Sequence, residues 1–550
     1  MIEKIKKFIF KNKIELIIFS FALLFSWWLM FSTFSYSNGE IKIASKAWSD
    51  FASHIPLIRS FSFGDNFFSL QYPLFSGPPI KYHFLFYALV GFFEKLGLRI
   101  DYALNIPSVL GFSFLLLMIY IFSKEIFKSK AVGILSVIFF LFNGSLSFIK
   151  FFTEHPISKN VFLDIFQSNN FSSFGPYDGN IVSAFWNLNI YTNQRHLALS
   201  YGLSLFIVYL FLKFKNNERK ENIKKSLLIG TVLGLSFILN MAVFLMTLLI
   251  FSSMFLFFNK KRLYILITIV LSSIIALPIY IYTQSAESIF KLSLHIGYLV
   301  TDLNIINFIN YWFQNLGLHF LLIPLAFVFA DKNLRKIFVC FFILFLVGNL
   351  VQFSPEIAAN HKFFNYFMII GVMFSAYILV KLWHKKLILK LFVIIIFAFL
   401  IISGIIDFFP IYNDSKIALS DYPTNKDIEW IIKNTPANSV FLNTQYLYDD
   451  ASLAGRKIFL GWPYFAWSQG YDTDKRFKLM SEMLGSINKN SLCIQLKNNK
   501  IDFIEISKNS LGDTNLPKLS NIYYDEFKSA YRSQDDNYYI YSVSDNCHEI

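Results

Sequence analysis

The sequence predicts a polytopic α-helical membrane protein with about eleven transmembrane helices and a C-terminal extracytoplasmic α/β domain. Three observations carry this. The chain is 55% hydrophobic with 67 Phe among 550 residues, more apolar side chain than a soluble core of that size hides. Through residue 410, apolar runs alternate with small basic clusters, and Arg and Lys resist translocation, so such clusters mark cytoplasmic loops. Beyond residue 410 the apolar runs shorten, Asp and Asn become frequent, and helix and strand patterns alternate. The chain therefore divides into a membrane part, 1–410, and an external domain, 411–550.

The net charge of +14 is unevenly distributed. Residues 411–550 hold 15 Lys+Arg against 18 Asp+Glu, leaving 35 against 18 for the membrane part. Positive-inside loops account for the excess, so the composition calls for no nucleic-acid partner.

The chain opens with Lys4, Lys6, Lys7, Lys11 and Lys13, followed by an apolar stretch over 14–34. That is the length a spanning helix needs, and Ser35-Tyr36-Ser37 is a poor cleavage site, so it reads as a retained first helix with the N-terminus in the cytoplasm. Further spans are expected at 104–123, 131–152, 197–213, 227–241, 242–258, 262–283, 316–330, 337–352, 364–382 and 386–408. The basic loops 124–130, 213–225, 260–262, 332–336 and 381–386 then lie inside. Loops 35–103, 153–196, 284–315 and 353–363 lie outside with the C-terminal domain. Residues 81–98 are marginal in length, and counting them would export the 124–130 cluster, so they read as an interfacial helix. The run 227–258 is too long for one helix and divides near Asn240.

In the C-terminal domain, 427–434 and 473–484 read as helices, and 439–443 and 503–506 as strands. Residues 527–532 and 538–543 read as a hairpin around Gln534-Asp535-Asp536-Asn537. Cys340 lies in an apolar span as inert packing. Cys493 and Cys547 share the external domain, where an oxidising compartment permits a bridge that the sequence leaves open. No CxxC, HExxH, P-loop, GxSxG or dinucleotide fingerprint occurs, so ATP-driven and common hydrolytic classes lack support.

The chemistry-bearing residues fall in the external loops. Lys46-Ala-Trp-Ser-Asp50-Phe-Ala-Ser-His54 puts Asp50 and His54 four apart, on one face of a helix. A carboxylate there accepts a proton from a hydroxyl, or holds a cation with the imidazole; equally, Asp50 caps a juxtamembrane helix and His54 packs at the interface. Asp65 follows Gly64 in the same loop. Further on, Tyr72-Pro-Leu-Phe-Ser-Gly77-Pro-Pro-Ile-Lys81-Tyr82-His83 makes a sharp turn that sets Lys81 and His83 at headgroup depth. There they contact a lipid phosphate or anchor by snorkelling. The loop 153–196 carries Glu154 and Asp178 and ends in Asn193-Gln194-Arg195-His196, where a guanidinium and an imidazole at a helix mouth suit phosphate as well as interfacial anchoring. His361-Lys362 places a Lys at an external helix start against the positive-inside rule, which points to a phosphate contact.

The stretch from Asp50 through Pro78-Pro79-Ile80-Lys81-Tyr82-His83, the helix over 84–97, Ala103-Leu-Asn-Ile-Pro107-Ser108-Val-Leu-Gly111 and the exit over 120–128 resembles the opening module of GT-C glycosyltransferases. These are polytopic enzymes that use polyprenyl-phosphate-linked sugars. The resemblance covers about the first 150 residues, and the hydropathy plan and external C-terminal domain loosely match beyond them. It implies an acid in the first external loop that acts as base or orients the acceptor, and Asp50 is the matching position. Families of this kind often carry two acids there; here Ser49 precedes Asp50, so a divalent cation (Mg or Mn) is left open. The segment Gly461-Trp-Pro-Tyr-Phe-Ala-Trp-Ser-Gln-Gly-Tyr-Asp-Thr-Asp474-Lys-Arg476 is similar to a Gly-Trp element of relatives and is expected either on the acceptor side or in the aromatic core.

The expected function is inverting transfer of a sugar from a membrane-embedded polyprenyl-phosphate donor to a glycan, lipid or protein acceptor outside the plasma membrane. Asp50 assists the acceptor hydroxyl; His54, Lys81, His83, Arg195, His196, His361 and Lys362 serve substrate and lipid phosphate; Asp65, Glu154 and Asp178 are secondary acids. The alternative is a transporter or flippase of lipid-linked or anionic substrates. Against it stand few charges inside the spans and no repeat of broken helices in two halves. A non-catalytic membrane scaffold is a third class.

Overall fold

The computed structural model describes residues 12–175, 178–215, 218–285, 288–510 and 512–548. The basic stretch with Lys4, Lys6, Lys7 and Lys11 lies outside the described residues. The first helix, α1 (Lys13–Thr33), has 21 residues and at 1.5 Å per residue covers about 30 Å, the thickness of a hydrocarbon core. It runs directly into a hairpin, β1 (Phe34–Ser37) and β2 (Glu40–Ala44). The turn is Asn38-Gly39, both with positive φ (55° and 77°), as a two-residue hairpin turn requires. Any side chain at Gly39 would also collide with Thr424, whose Oγ1 lies 2.0 Å from where a Cβ would stand.

Downstream come α2 (Trp48–Ser62) and α3 (Leu85–Lys95). α3 has 11 residues, too few to cross a bilayer, in line with leaving 81–98 out of the span count. Its Gly91 faces the α2 backbone, where a Cβ would come within 2.6 Å of the Ile58 carbonyl. Arg59 locks the same joint: its guanidinium reaches Glu94 of α3 at 3.2 Å and Asp421, beyond the last span, at 2.7 Å.

The apolar helices follow as α4 (Ile100–Phe127), α5 (Lys130–Leu141), α6 (Arg195–Leu212), α7 (Arg219–Leu239), α8 (Met241–Phe257) and α9 (Arg262–Thr283). They continue as α10 (Ile305–Leu316), α11 (His319–Phe329), α12 (Lys332–Leu350), α13 (His361–Trp383) and α14 (Leu387–Tyr412). Among the described residues eight helices are long and apolar enough to cross a membrane, and a ninth span arises if α10 and α11, bent by 92°, are counted as one. α5 and α8 are apolar but shorter. The stretches expected to span fall on helices with two exceptions, 131–152, interrupted between Leu141 and Ser147, and 316–330, broken at Gly317-Leu318; the described residues thus offer eight or nine spans where about eleven were expected. Asn240 separates α7 from α8 and caps α8 by accepting from the Val243 N–H at 3.0 Å. Free Cys340 is buried in α12.

After α14 the chain returns to the first hairpin. β5 (Lys416–Ser420) pairs antiparallel with β2 in the register Glu40↔Ser420 to Ala44↔Lys416. A five-stranded sheet follows in the order β7 (Lys457–Ile458), β6 (Val440–Leu442), β8 (Phe503–Ser507), β10 (Tyr538–Ser542), β9 (Tyr531–Arg532). The short strands β3 (Ser293–Leu294) and β4 (Val351–Gln352) pair antiparallel. Helices Lys426–Asn434 and Thr473–Leu484 lie where the sequence puts them. β9 and β10 form the expected hairpin, and Cys493 is bridged to Cys547 with a Cα–Cα distance of 5.6 Å. One apolar core joins this sheet to the segment between α1 and α4: Phe51, Ile55 and Tyr87 belong to the same cluster as Phe441, Ile504 and Ile540.

Candidate functional site

α2 starts at Trp48, so Asp50 stands in its first turn and His54 one turn further on the same face. Tyr448 of the C-terminal region fixes that start: its ring lies 4.0 Å from that of Trp48, and its hydroxyl donates to the Trp48 carbonyl. Asp50 and His54 both line a cavity of about 1160 Å³. Its other walls are the 81–83 turn, Asn193-Gln194, the start of α13 with His361 and Lys362, and an aromatic rim that includes Trp462 and Tyr464.

Asp50 is half-exposed to the cavity but sits deep within the protein mass. Desolvation raises its carboxyl above the usual range, while the Lys362 ammonium and a hydrogen bond from Asn193 pull it part of the way back. Lys362 is drawn to both Asp50 and Glu356, yet among the described residues its ammonium makes no hydrogen bond and no ion pair. Of the other lysines lining the cavity, Lys291 is exposed, while Lys46 and Lys81 are engaged. Lys46 pairs with Asp414 at 2.9 Å. Lys81 donates to the Gly470 carbonyl at 3.3 Å and lies 4.7 Å from the Tyr471 ring centre.

The histidines form a buried group. His54 is 4% exposed, and its Nδ1 has no hydrogen-bond partner among the described residues. Burial, then the charges of Arg195 and Lys362, holds it down to about 3, so it is neutral at physiological pH. His83 faces the cavity, and its Nε2 is 2.6 Å from Nε2 of His196. Burial keeps His83 well below its ordinary range as well. His196 meets the Tyr87 hydroxyl through Nδ1 at 2.9 Å and is closed off from the cavity. His361 lines the cavity, bonds Asn365 at 2.8 Å and stacks on Phe185.

Arg195 does not line the cavity. Its guanidinium is 1% exposed and ties helices together, donating to Thr192 O at 2.6 Å, Thr33 Oγ1 at 2.8 Å and Asn105 Oδ1 at 3.3 Å. The secondary acids also lie elsewhere: Asp65 pairs with Lys457 at 2.6 Å, and Glu154 and Asp178 are exposed. The structure thus gathers Asp50, His54, Lys81, His83, His361 and Lys362 around one space and sets Arg195, His196 and the three acids outside it.

Sequence reasoning passes over Tyr87, Tyr82 and Glu356. Tyr87 lies four residues after His83, a helical spacing that would have flagged it. Glu356 carries no such signal; it lines the cavity just before the 3-10 turn Ile357–Asn360 and accepts from the Tyr464 hydroxyl. The aromatic segment from Gly461 does line the cavity, through Trp462, Tyr464, Phe465 and Gly470.

Among the described residues no three His, Cys, Asp or Glu side chains converge as a metal set. Where a divalent ion would bridge Asp50 and Glu356, the ammonium of Lys362 already acts on both carboxylates. The donor set does not fit a metal, and no step is routed through one.

No family model matches the chain, and no curated protein matches it. Solved structures do. The Archaeoglobus fulgidus oligosaccharyltransferase AglB in complex with an inhibitory peptide and a dolichol-phosphate is 11% identical, with 96% of this chain and 74% of that one covered and a TM-score of 0.48. The A. fulgidus oligosaccharyltransferase in complex with Zn and sulfate is 12% identical, with 95% and 72% covered and a TM-score of 0.49. Arabinofuranosyltransferase AftD from Mycobacteria is 11% identical at a TM-score of 0.50; the match covers 96% of this chain but spans only 40% of AftD. At such identity the likeness is one of fold alone: the chain shares its helical membrane-protein architecture with AftD.

Proposed function

We propose that the protein is a membrane glycosyltransferase that moves a sugar from a polyprenyl-phosphate donor to an acceptor on the extracytoplasmic face of the plasma membrane. One observation carries this: a desolvated carboxylate, Asp50, and an ammonium without a partner among the described residues, Lys362, face the same large cavity of a GT-C fold.

Each charge has a task in such a transfer. The acceptor hydroxyl gives its proton to Asp50 as its oxygen bonds the anomeric carbon. The bond from that carbon to the phosphate oxygen breaks, and Lys362 takes up the negative charge that the phosphate gains. A carboxyl raised by burial is a stronger base than an exposed one, and a cation not already satisfied is available to the leaving group. Lys81, His83, His54 and His361 wall the space where sugar and phosphate would lie, and Trp462 and Tyr464 offer aromatic faces to the acceptor. Arg195 and His196 position the helix mouths. The cavity, the hairpin after α1 and the C-terminal sheet share one side of the helices, which we assign to the outside with the N-terminus in the cytoplasm, following the basic loops.

The test uses full-length protein in nanodiscs with undecaprenyl-phosphate glucose and undecaprenyl-phosphate mannose, each radiolabelled in the sugar, and cell-envelope glycan, lipid or peptide acceptors. Label transferred to an acceptor by wild type and lost in Asp50→Asn supports the proposal. Label carried across the bilayer without product identifies a transporter instead.

A further inference from the structure

The aromatic segment at the cavity rim is clamped at both ends. Ahead of it, the Ile458 and Gly461 N–H groups donate to the Pro73 and Leu74 carbonyls, each at 2.8 Å, and a Cβ on Gly461 would stand 2.9 Å from that of Leu74. Behind it, Gln469 Nε2 donates to the Tyr72 hydroxyl at 3.0 Å, and the Tyr471 hydroxyl donates to the Pro79 carbonyl at 2.7 Å. Arg476 adds a further hold: its guanidinium lies 4.0 Å from the Phe75 ring centre and 4.4 Å from that of Phe459, and it donates to the Ser76 carbonyl at 3.1 Å. Between these holds Pro463 opens a short helix, Pro463–Ser468, at the position where its missing N–H costs nothing. The backbone of the rim is thus fixed against the turn over 72–83.

Its rings are not used up in that packing. Tyr464 is 42% exposed and Trp462 half-buried, and both line the cavity. Glu356, from the connection between α12 and α13, accepts from the Tyr464 hydroxyl through Oε2, and its Oε1 has no hydrogen-bond partner among the described residues. The rim therefore offers two large rings and a carboxylate oxygen in a preset arrangement, so little ordering is left for a ligand to bring about.

We infer that the acceptor is a saccharide, bound with a ring face against Trp462 and Tyr464 and a hydroxyl on Glu356. This rests on the glycosyl-transfer reading and names its second substrate. A sugar ring presents C–H bonds on its faces and hydroxyls around its edge. The C–H bonds suit the electron-rich face of an indole or a phenol, and the hydroxyls suit a carboxylate. The other acceptor classes fit less well. Among the described residues no strand lines the cavity, so an extended peptide finds no backbone edge to pair with. Met241, Ala242 and Leu245 at the start of α8 give the donor's isoprenoid an aliphatic wall of its own, which leaves the rim to the second substrate. The hydroxyl that gives its proton to Asp50 then belongs to a sugar, and the new glycosidic bond joins two sugars.

The test uses full-length protein in nanodiscs. Saturation-transfer difference NMR measures binding of the methyl glycosides of glucose, galactose, mannose, N-acetylglucosamine, rhamnose and arabinofuranose in the absence of donor. Transfer is then followed from the same two radiolabelled undecaprenyl-phosphate sugars to those glycosides, to a pool of Ser-, Thr- and Asn-containing peptides, and to diacylglycerol. At least one glycoside should bind through its C–H face and accept label. Tyr464→Ala, at an exposed ring, should weaken that binding and raise the acceptor KM roughly three- to tenfold with the donor KM unchanged. Trp462→Leu should act alike, and Tyr524→Ala, at an exposed tyrosine away from the cavity, should do neither. Glycoside binding that Tyr464→Ala and Trp462→Leu leave unchanged overturns the assignment, as does label that reaches only peptide or diacylglycerol, or a wild type that binds no glycoside. Ring-dependent glycoside binding without transfer by wild type keeps the saccharide site and overturns the glycosyl-transfer reading instead.

Discussion

Replacing Lys362 by Met separates a substrate cation from a structural one. Among the described residues no hydrogen bond or ion pair holds its ammonium, so truncating it orphans no protein group and the folded state should lose little stability. Its loss is instead felt where charge develops on the phosphate. Removing one group aimed at such a charge lowers kcat by about 10²- to 10³-fold, roughly 2.7–4 kcal/mol. A second effect follows from Asp50. Burial raises its carboxyl and Lys362 draws it down, so without Lys362 the carboxyl rises further. The base must be ionised, and activity is lost as pH falls through its pKa; the acid limb of kcat/KM therefore moves to higher pH in Lys362→Met and stays in place in Lys362→Arg. The assay is a pH–rate profile with the radiolabelled donors, paired with a denaturation midpoint. A Lys362→Met variant with wild-type turnover and an unmoved acid limb would refute the placement of donor phosphate beside this residue.

Four further outcomes are expected. Asp50→Asn should lose about 10²- to 10⁴-fold in transfer while melting no lower than wild type, since a desolvated carboxylate gives way to a neutral amide; the two readings are turnover and thermal midpoint. Arg195→Gln should cost about 2–3 kcal/mol of stability by leaving Thr33 and Asn105 short of a donor, with donor KM unchanged in the surviving folded protein. Arg59→Met strands the Glu94 and Asp421 carboxylates and should cost about 3–5 kcal/mol. Burial already raises Glu94, so that deficit should shrink as pH falls and Glu94 is protonated, as denaturation midpoints across pH would reveal. Reduction of Cys493–Cys547, which lie 54 residues apart, releases a loop whose closure is worth about 4 kcal/mol in the chain-entropy account; the midpoint should drop on adding dithiothreitol, and not in a Cys493→Ser variant.

Much of the helical plan was legible because bilayer insertion leaves a coarse signature, the length of apolar runs. Asn240 was readable as a break because a polar residue in an apolar run must either cap a helix or be left unsatisfied. The Asp50 and His54 pairing was readable from i, i+4 spacing once a helix was assumed. The roles of the cations were not. Arg195, His361 and Lys362 look alike in sequence, each at the head of an apolar run. Only the fold reveals that Arg195 is consumed by Thr33, Asn105 and Thr192, and that His361 bonds Asn365, whereas Lys362 is left facing the cavity. The β1–β2 hairpin was signalled by Asn38-Gly39 but read as loop, because its partner β5 lies some 380 residues downstream and no local pattern announces it.

That distant partner bears on how the protein matures. β2 is the middle strand of its small sheet, and one of its two edges stays bare until Lys416–Ser420 has been synthesised. The helix bearing Asp50 follows β2 within a few residues, and both Tyr448, which seats its first turn, and Asp421, which grips Arg59, emerge later still. A nascent chain stalled after its last apolar helix would therefore own every membrane segment and still have an unfinished cavity. The cavity is completed only once the segment through Gly470 has emerged, so a copy that stops short of it has no finished site.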